Sequence, residues 1–271
     1  MKRFDILWLL YHTMMGRAFL KILVNPRFSH IAAWLLNSSV SRLAVPHFVK
    51  KNNIDLSKCE KQKYNSFNDF FTRKKIVDVC KIKGTVVSPC DGYLSIYRIN
   101  GRSVEIKNCT YTISNLLRSE KLADYYNEGY CMIFRLEPKH YHRYIYISDA
   151  VIKSTRRIEG VLHSVRPVAF NGIPIYRENS REYTVMNSKE LGTFIQMEVG
   201  ALLVGKIQNH SDKGKVSKGD EKGYFEFGGS TIVVLFRKDR IKFVRTIMDI
   251  CDTERELPVK IGTVIGTSSC F

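Results

Sequence analysis

The longest unbroken apolar, β-branched run near the C-terminal end, Ile232-Val233-Val234-Leu235-Phe236, predicts a strand. Just upstream, Tyr224, Phe225 and Phe227 are strand-type aromatics, and Gly228-Gly229-Ser230 separates the two halves. Taken alone, this pattern is a hairpin closed by a Gly-Gly-Ser turn. The glycines open backbone angles closed to other residues. A serine beside such a deformable peptide can turn its hydroxyl back on the preceding carbonyl. Earlier, Val86 to Leu94 has the pattern strand, turn, strand, with Pro89 and Asp91-Gly92 in the turn. From Met132 to Ile147 polar and aromatic residues alternate as on a strand, which would point His140 and His142 to one face. A helical patch is predicted near Tyr111 to Tyr126, and glycine-punctuated strands near Met197 to Ile207 and Val259 to Ile265, giving a bent β core.

The N-terminal pattern is different. Trp8, Tyr11, Met15, Phe19 and Ile22 recur three or four apart, as on one helical face. The uncharged runs Ile6 to Gly16 and Phe28 to Ser41 are both shorter than the roughly 20 residues a spanning helix needs. From Ile6 to Ile54 there is no carboxylate, yet Arg17, Lys21, Arg27, Arg42, Lys50 and Lys51 are present. Apolar helices with aromatics and only positive charge suit the headgroup layer of an anionic bilayer. A helical cap packed on the main domain is the competing reading, but packing alone does not require carboxylates to be excluded.

Composition sharpens this. The 271 residues are 44% hydrophobic and carry a formal charge of +17, enough for a real core and a field that favours polyanionic partners. The seven cysteines form no Cys-x-x-Cys pair and no zinc spacing, which suits a reducing compartment with the thiols as small buried groups. His140 and His142 beside Arg143 form a candidate proton-transfer site, and no third histidine lies nearby in sequence to complete a metal set. The aromatic cluster Phe67 to Phe71, ending in Thr72-Arg73-Lys74, is expected to pack a helix end on the core. Tyr176 to Tyr183 is expected to be a polar loop that holds a charged headgroup or forms a surface salt-bridge net.

Six motifs then occur in order: Phe-Phe-Thr-Arg (70–73), Ser-Pro-Cys-Asp-Gly (88–92), Tyr-His-Arg (141–143), Glu-Asn-Ser-Arg-Glu (178–182), Val-Gly-Ala-Leu-Leu-Val-Gly-Lys-Ile (199–207) and Gly-Tyr-Phe-Glu-Phe-Gly-Gly-Ser-Thr (223–231). Together they resemble phosphatidylserine decarboxylase of the bacterial type. The resemblance implies a pyruvoyl enzyme that cleaves itself between Gly229 and Ser230 into a β chain, 1–229, and an α chain, 230–271, whose Ser230 becomes the pyruvoyl cofactor. It implies an Asp-His-Ser set in which Asp91 and Ser230 match the outer members. Many members carry a second histidine three residues after the Tyr-His-Arg one, and here that position is Ile145. The base is therefore His142, His140 or a histidine brought in by folding, with His142 preferred and His163 next. Gly228 also departs from the commoner leucine or phenylalanine.

The expected architecture is α+β: an N-terminal helical membrane-docking region, 1–75, followed by a mostly antiparallel, β-rich catalytic domain, 76–271. The expected partners are an anionic membrane surface on its cytoplasmic side, the phospholipid substrate, the paired β and α chains and a second copy of the chain; no metal and no nucleic acid are expected. A non-enzymatic basic β-barrel binding anionic lipid or nucleic acid, and a pyruvoyl decarboxylase of a soluble amino acid, are the alternatives.

Overall fold

The run Ile232 to Phe236 lies in the middle of the molecule. In the computed structural model, which describes residues 6–269 apart from 62, 107, 108, 166–168, 170–173, 203–205, 229 and 254, and only the backbone of 26, 27, 29 and 30, strand Ser230–Phe236 is buried at every position. It pairs antiparallel with Tyr130–Leu136 on one side and Gly192–Val199 on the other. β-Branched and aromatic side chains suit this two-sided burial, and each fully buried one stabilises by roughly 1.5–3 kcal/mol. Among the described residues the sheet runs Gly214–Val216, Ala150–Ile158, Arg181–Ser188, Gly192–Val199, Ser230–Phe236, Tyr130–Leu136, Gly92–Arg98, Leu257–Val259, and every neighbouring pair is antiparallel. The α+β, mostly antiparallel architecture is thus as the sequence suggests. The Tyr111–Tyr126 patch forms two short helices, Ile113–Leu117 and Glu120–Tyr125.

Strands Arg143–Ile145, Glu221–Phe225 and Ile207–Asn209 form a smaller sheet. Between the two sheets a fully buried ion pair joins Lys222 Nζ to Glu198 at 2.6 Å, and Lys222 also donates to Asn209 at 2.9 Å. The Gly-Gly-Ser stretch is consequently not a hairpin turn. Glu221–Phe225 and Ser230–Phe236 belong to different sheets, and the residues between them cross from one to the other. Gly228 is buried with φ +143°, a backbone angle side chains disfavour, so a glycine suits this crossing. Gly229 lies outside the described residues.

A second correction concerns His140 and His142. Pro138 cannot continue the strand ladder, so Tyr130–Leu136 ends and a turn follows, closed by the His140 N–H donating to Glu137 O at 2.9 Å. The two histidines lie between strands rather than alternating along one.

The N-terminal region is helical: Ile6–His12, Met14–Leu23, Pro26–Asn37 and Val45–Asn52, with a 3₁₀ turn at Ser39–Ala44. The anticipated single face is broken at Thr13, whose hydroxyl caps the second helix by accepting from Gly16 N at 2.9 Å. Gly16 permits close approach, since a Cβ there would stand 2.1 Å from Leu9 O. Tyr11, Leu20 and Val24 turn into the main core, while Trp8, Met15, Phe19 and Ile22 stay exposed. Helix Phe67–Phe71 packs with Leu36, Phe48 and Val49 into a satellite core that also receives Phe227. Among the described residues no helix is long and apolar enough to cross a membrane.

Segment 176–183 is a brace rather than a surface loop. Arg181 is buried and donates to the carbonyls of Asn115, Leu116, Arg177 and Asn179, and buried Asn179 ties His163 to Gly200. Cys59, Cys90, Cys109 and Cys131 are buried and Cys80 and Cys251 half-buried, and these six form no disulfide with one another; Cys270 lies outside the described residues.

Candidate active site

Ser230 is the first residue of the central strand, fully buried and in register with Leu136. That register decides what surrounds it. Leu136 is the last residue before the Glu137-Pro138-Lys139-His140 turn, and the chain leaving the turn carries His142, also fully buried, back beside Ser230. Ser230 Oγ stands 3.3 Å from His142 Nδ1. The other ring nitrogen, Nε2, is 3.0 Å from the main-chain oxygen of Glu137. A carbonyl only accepts, so the proton belongs on Nε2 and the lone pair on Nδ1 faces the serine hydroxyl. Burial pushes the His142 imidazole down to about 3, only partly offset by the Glu137 carbonyl, so the ring is neutral. Phe71 lies against it, ring centroids 4.2 Å apart, and closes that side from water.

The remaining predicted residues sit elsewhere in this neighbourhood. The Asp91 carboxylate accepts from Ile261 N at 2.9 Å and pairs with Lys75 at 2.9 Å, and it has no hydrogen bond to His142. Ile145 helps explain this: its side chain packs with Val87, Tyr141 and Ile261, beside the backbone that holds Asp91. His140 accepts from Glu137 N at 2.9 Å, and burial pushes it down to about 4. His163 lies 3.3 Å from the Tyr11 hydroxyl and 3.6 Å from Glu178, and has no hydrogen bond to Ser230. The structure therefore brings Ser230 and His142 together and supplies a peptide carbonyl where a carboxylate was anticipated.

Three contributors were invisible in the sequence. Glu137 acts through its backbone. Phe71 looked like ordinary packing within the aromatic cluster. Asn68, one turn earlier, accepts from Phe227 N at 3.2 Å and so pins the chain just upstream of Ser230, while its amide donates to Asn37 at 3.1 Å. Arg143 locks this helix in place: Nε donates to Thr72 O at 2.8 Å and Nη1 meets Glu221 at 2.5 Å. Phe-Phe-Thr-Arg and Tyr-His-Arg are thus two halves of one contact. The only legible hint was that both motifs combine aromatics with arginine.

A buried serine opening a glycine-preceded strand, with a neutral histidine aimed at its hydroxyl, is an arrangement for internal acyl transfer. A family model for phosphatidylserine decarboxylase matches residues 67–267. The chain belongs to the phosphatidylserine decarboxylase family. It is 44% identical over 265 residues to phosphatidylserine decarboxylase proenzyme 2 of Clostridium acetobutylicum, covering 96% of this chain and 91% of the relative. To the phosphatidylserine decarboxylase proenzymes of Clostridium tetani and Clostridium perfringens it is 37% and 35% identical, over 93% and 94% of this chain and 88% and 90% of theirs. The family model begins at Phe67, the first residue of the helix that packs on His142.

Proposed function

We propose that this chain is a proenzyme that cleaves itself at Gly229–Ser230 and then decarboxylates phosphatidylserine to phosphatidylethanolamine and CO2. The observation that carries the reading is Ser230 Oγ at 3.3 Å from a neutral His142 Nδ1 whose other nitrogen is held by Glu137 O. A serine hydroxyl is a weak nucleophile and needs such a base. His142 takes the hydroxyl proton as Oγ bonds to the Gly229 carbonyl carbon. The peptide C–N bond breaks and the Ser230 nitrogen receives a proton, giving an ester. Loss of the Ser230 Cα proton then expels residue 229 as a carboxylate. Hydrolysis of the resulting dehydroalanine releases ammonia and leaves a pyruvoyl group at residue 230.

The surroundings suit that group. The position is fully buried, paired with Leu136 on one side, and followed by Thr231, which pairs on both sides and whose buried Oγ1 has no hydrogen-bond partner among the described residues. Bound covalently, a pyruvoyl carbonyl supplies the electron sink for loss of CO2 from an amino acid. The chain's own residues do the rest. His142, 3.3 Å from Ser230 Oγ, is the group assigned to return a proton to the substrate Cα, Phe71 covers one side of its ring, and the strand ladders keep residues 230–271 in place after cleavage.

A lipid substrate is favoured over a free amino acid by the N-terminal helices. Trp8, Phe19, Ile31 and Trp34 are 53%, 62%, 60% and 73% exposed on elements that carry no carboxylate. These helices are read as lying on the cytoplasmic face of an anionic membrane. The test is a denaturing gel and intact mass. The purified chain should give fragments 1–229 and 230–271, the second blocked at its N-terminus, and Ser230→Ala should stay whole. Activity on phosphatidylserine vesicles, with none on free serine, separates lipid from soluble substrate. A wild-type chain that folds and remains uncut refutes the reading.

A further inference from the structure

The candidate base is oriented by a main-chain carbonyl, and such a carbonyl points only where its backbone is held. The Glu137 peptide is gripped at both poles: its N–H donates to His140 Nδ1 at 2.9 Å, and its oxygen accepts from His142 Nε2 at 3.0 Å and from His140 N at 2.9 Å. The Glu137 side chain accepts from Arg135 Nη1 at 3.0 Å. Arg135 is itself buried, its side chain 6% exposed, and spends its other edge on Glu256, Nε at 3.1 Å and Nη2 at 2.5 Å. The guanidinium lies over the Tyr93 ring, 4.9 Å from its centroid. Arg135 also faces Thr231 across the ladder, one residue from Ser230.

We propose that Arg135 and Glu256 are positioning residues for the self-cleavage, their two-pronged ion pair holding Glu137 so that its carbonyl fixes the His142 tautomer with Nδ1 toward Ser230. The inference rests on the self-cleavage reading above. Arg135 and Glu137 fall in 1–229 and Glu256 in 230–271, so the pair also bridges the two chains once the bond is cut. That keeps His142 registered on residue 230 for the second reaction. The chemistry requires an arginine: a lysine offers a single point of charge and cannot span Glu256 and Glu137 in one plane. With Asp91 bonded to Lys75 and Ile261, the pair supplies the orientation that a carboxylate on the histidine would otherwise give.

Two variants of the full chain test this, Glu256→Gln and Arg135→Lys, each checked for folding by near-ultraviolet circular dichroism and thermal melting. In the Ser230→Ala background, which cannot cut, nitrogen NMR of labelled histidines should report His142 with its proton on Nε2. Both variants should shift it toward a mixture of tautomers. With Ser230 present, both should cleave at least about tenfold more slowly than wild type, since misplacing a reacting group by about 1 Å can cost ~10²-fold. Folded variants with an unchanged His142 signal and a wild-type cleavage rate would overturn the proposal, even if they melt at lower temperature. A wild-type chain that never cuts overturns the self-cleavage reading instead, and the NMR comparison still decides the positioning role.

Discussion

His142 combines two properties that rarely coincide: it is fully buried, and its lone pair is aimed at a hydroxyl. Because burial holds it at about 3, far below an ordinary histidine, it remains neutral across the physiological range. Self-cleavage measured from pH 8 to pH 5.5 should therefore lack the decline of about tenfold that a base titrating near 6.5 would show. The same depression has a stability consequence. Between the unfolded value of 6.5 and the folded values of about 3 for His142 and about 4 for His140, the unfolded chain binds protons that the folded chain refuses. Stability contributed by the neutral rings is thus present above pH 6.5 and lost as pH falls toward 4. Thermal melts of Ser230→Ala should drop progressively from pH 7 to pH 4, and replacing His142 with an uncharged residue of similar size should flatten part of that slope.

At the scale of elements, the helix Phe67–Phe71 does three things at once. Phe71 covers His142, Phe67 and Phe71 hold Phe227, and Asn68 fixes the Phe227 peptide. Asn68→Ala should slow cleavage several-fold with little loss of stability, whereas Asn68→Asp, which keeps the acceptor, should retain most of the rate. Phe71→Ala should cost about 3–5 kcal/mol because it empties a fully buried site, and it should also admit water to His142. The strand Ser230–Phe236 sets the complementary constraint. Its ladders on both sides, with Val264–Ser268 pairing Thr85–Val87, tie residues 230–271 into sheets built mainly from earlier chain. After cleavage the two fragments should co-elute on native gel filtration and separate only in denaturant.

For the whole molecule, charge and exposed apolar surface point the same way. The chain carries +17, and the exposed Phe19, Ile31, Trp34 and Leu35 sit where carboxylates are absent. Flotation with vesicles containing anionic lipid should recover the protein at low salt, and Phe19→Glu with Trp34→Glu should abolish recovery while leaving self-cleavage unaffected. Raising the salt should weaken the wild-type association, because the attraction between basic helices and lipid headgroups is screened within about 8–10 Å.

How much of this was legible depends on whether the determinant is local. The apolar run Ile232 to Phe236, the helical N-terminus and the order of the six motifs are properties of consecutive residues, so the chain alone specified the α+β class, the family resemblance and Ser230 and His142 as the residues to examine. It could not specify that Pro138 would fold His140 and His142 out of the strand, that the Gly-Gly-Ser stretch would cross between sheets, or that Thr13 and Gly16 would turn Tyr11 inward. Nor could it reveal that a peptide oxygen of Glu137 would face His142 while Asp91 bonded Lys75. A main-chain carbonyl has no residue type to read, and its direction is set only when Leu136 pairs with Ser230 across the sheet and Arg135 reaches Glu256 from 121 positions away. The sequence determined which groups are candidates for the chemistry; long-range strand pairing and burial decided which way they point and which of them are charged.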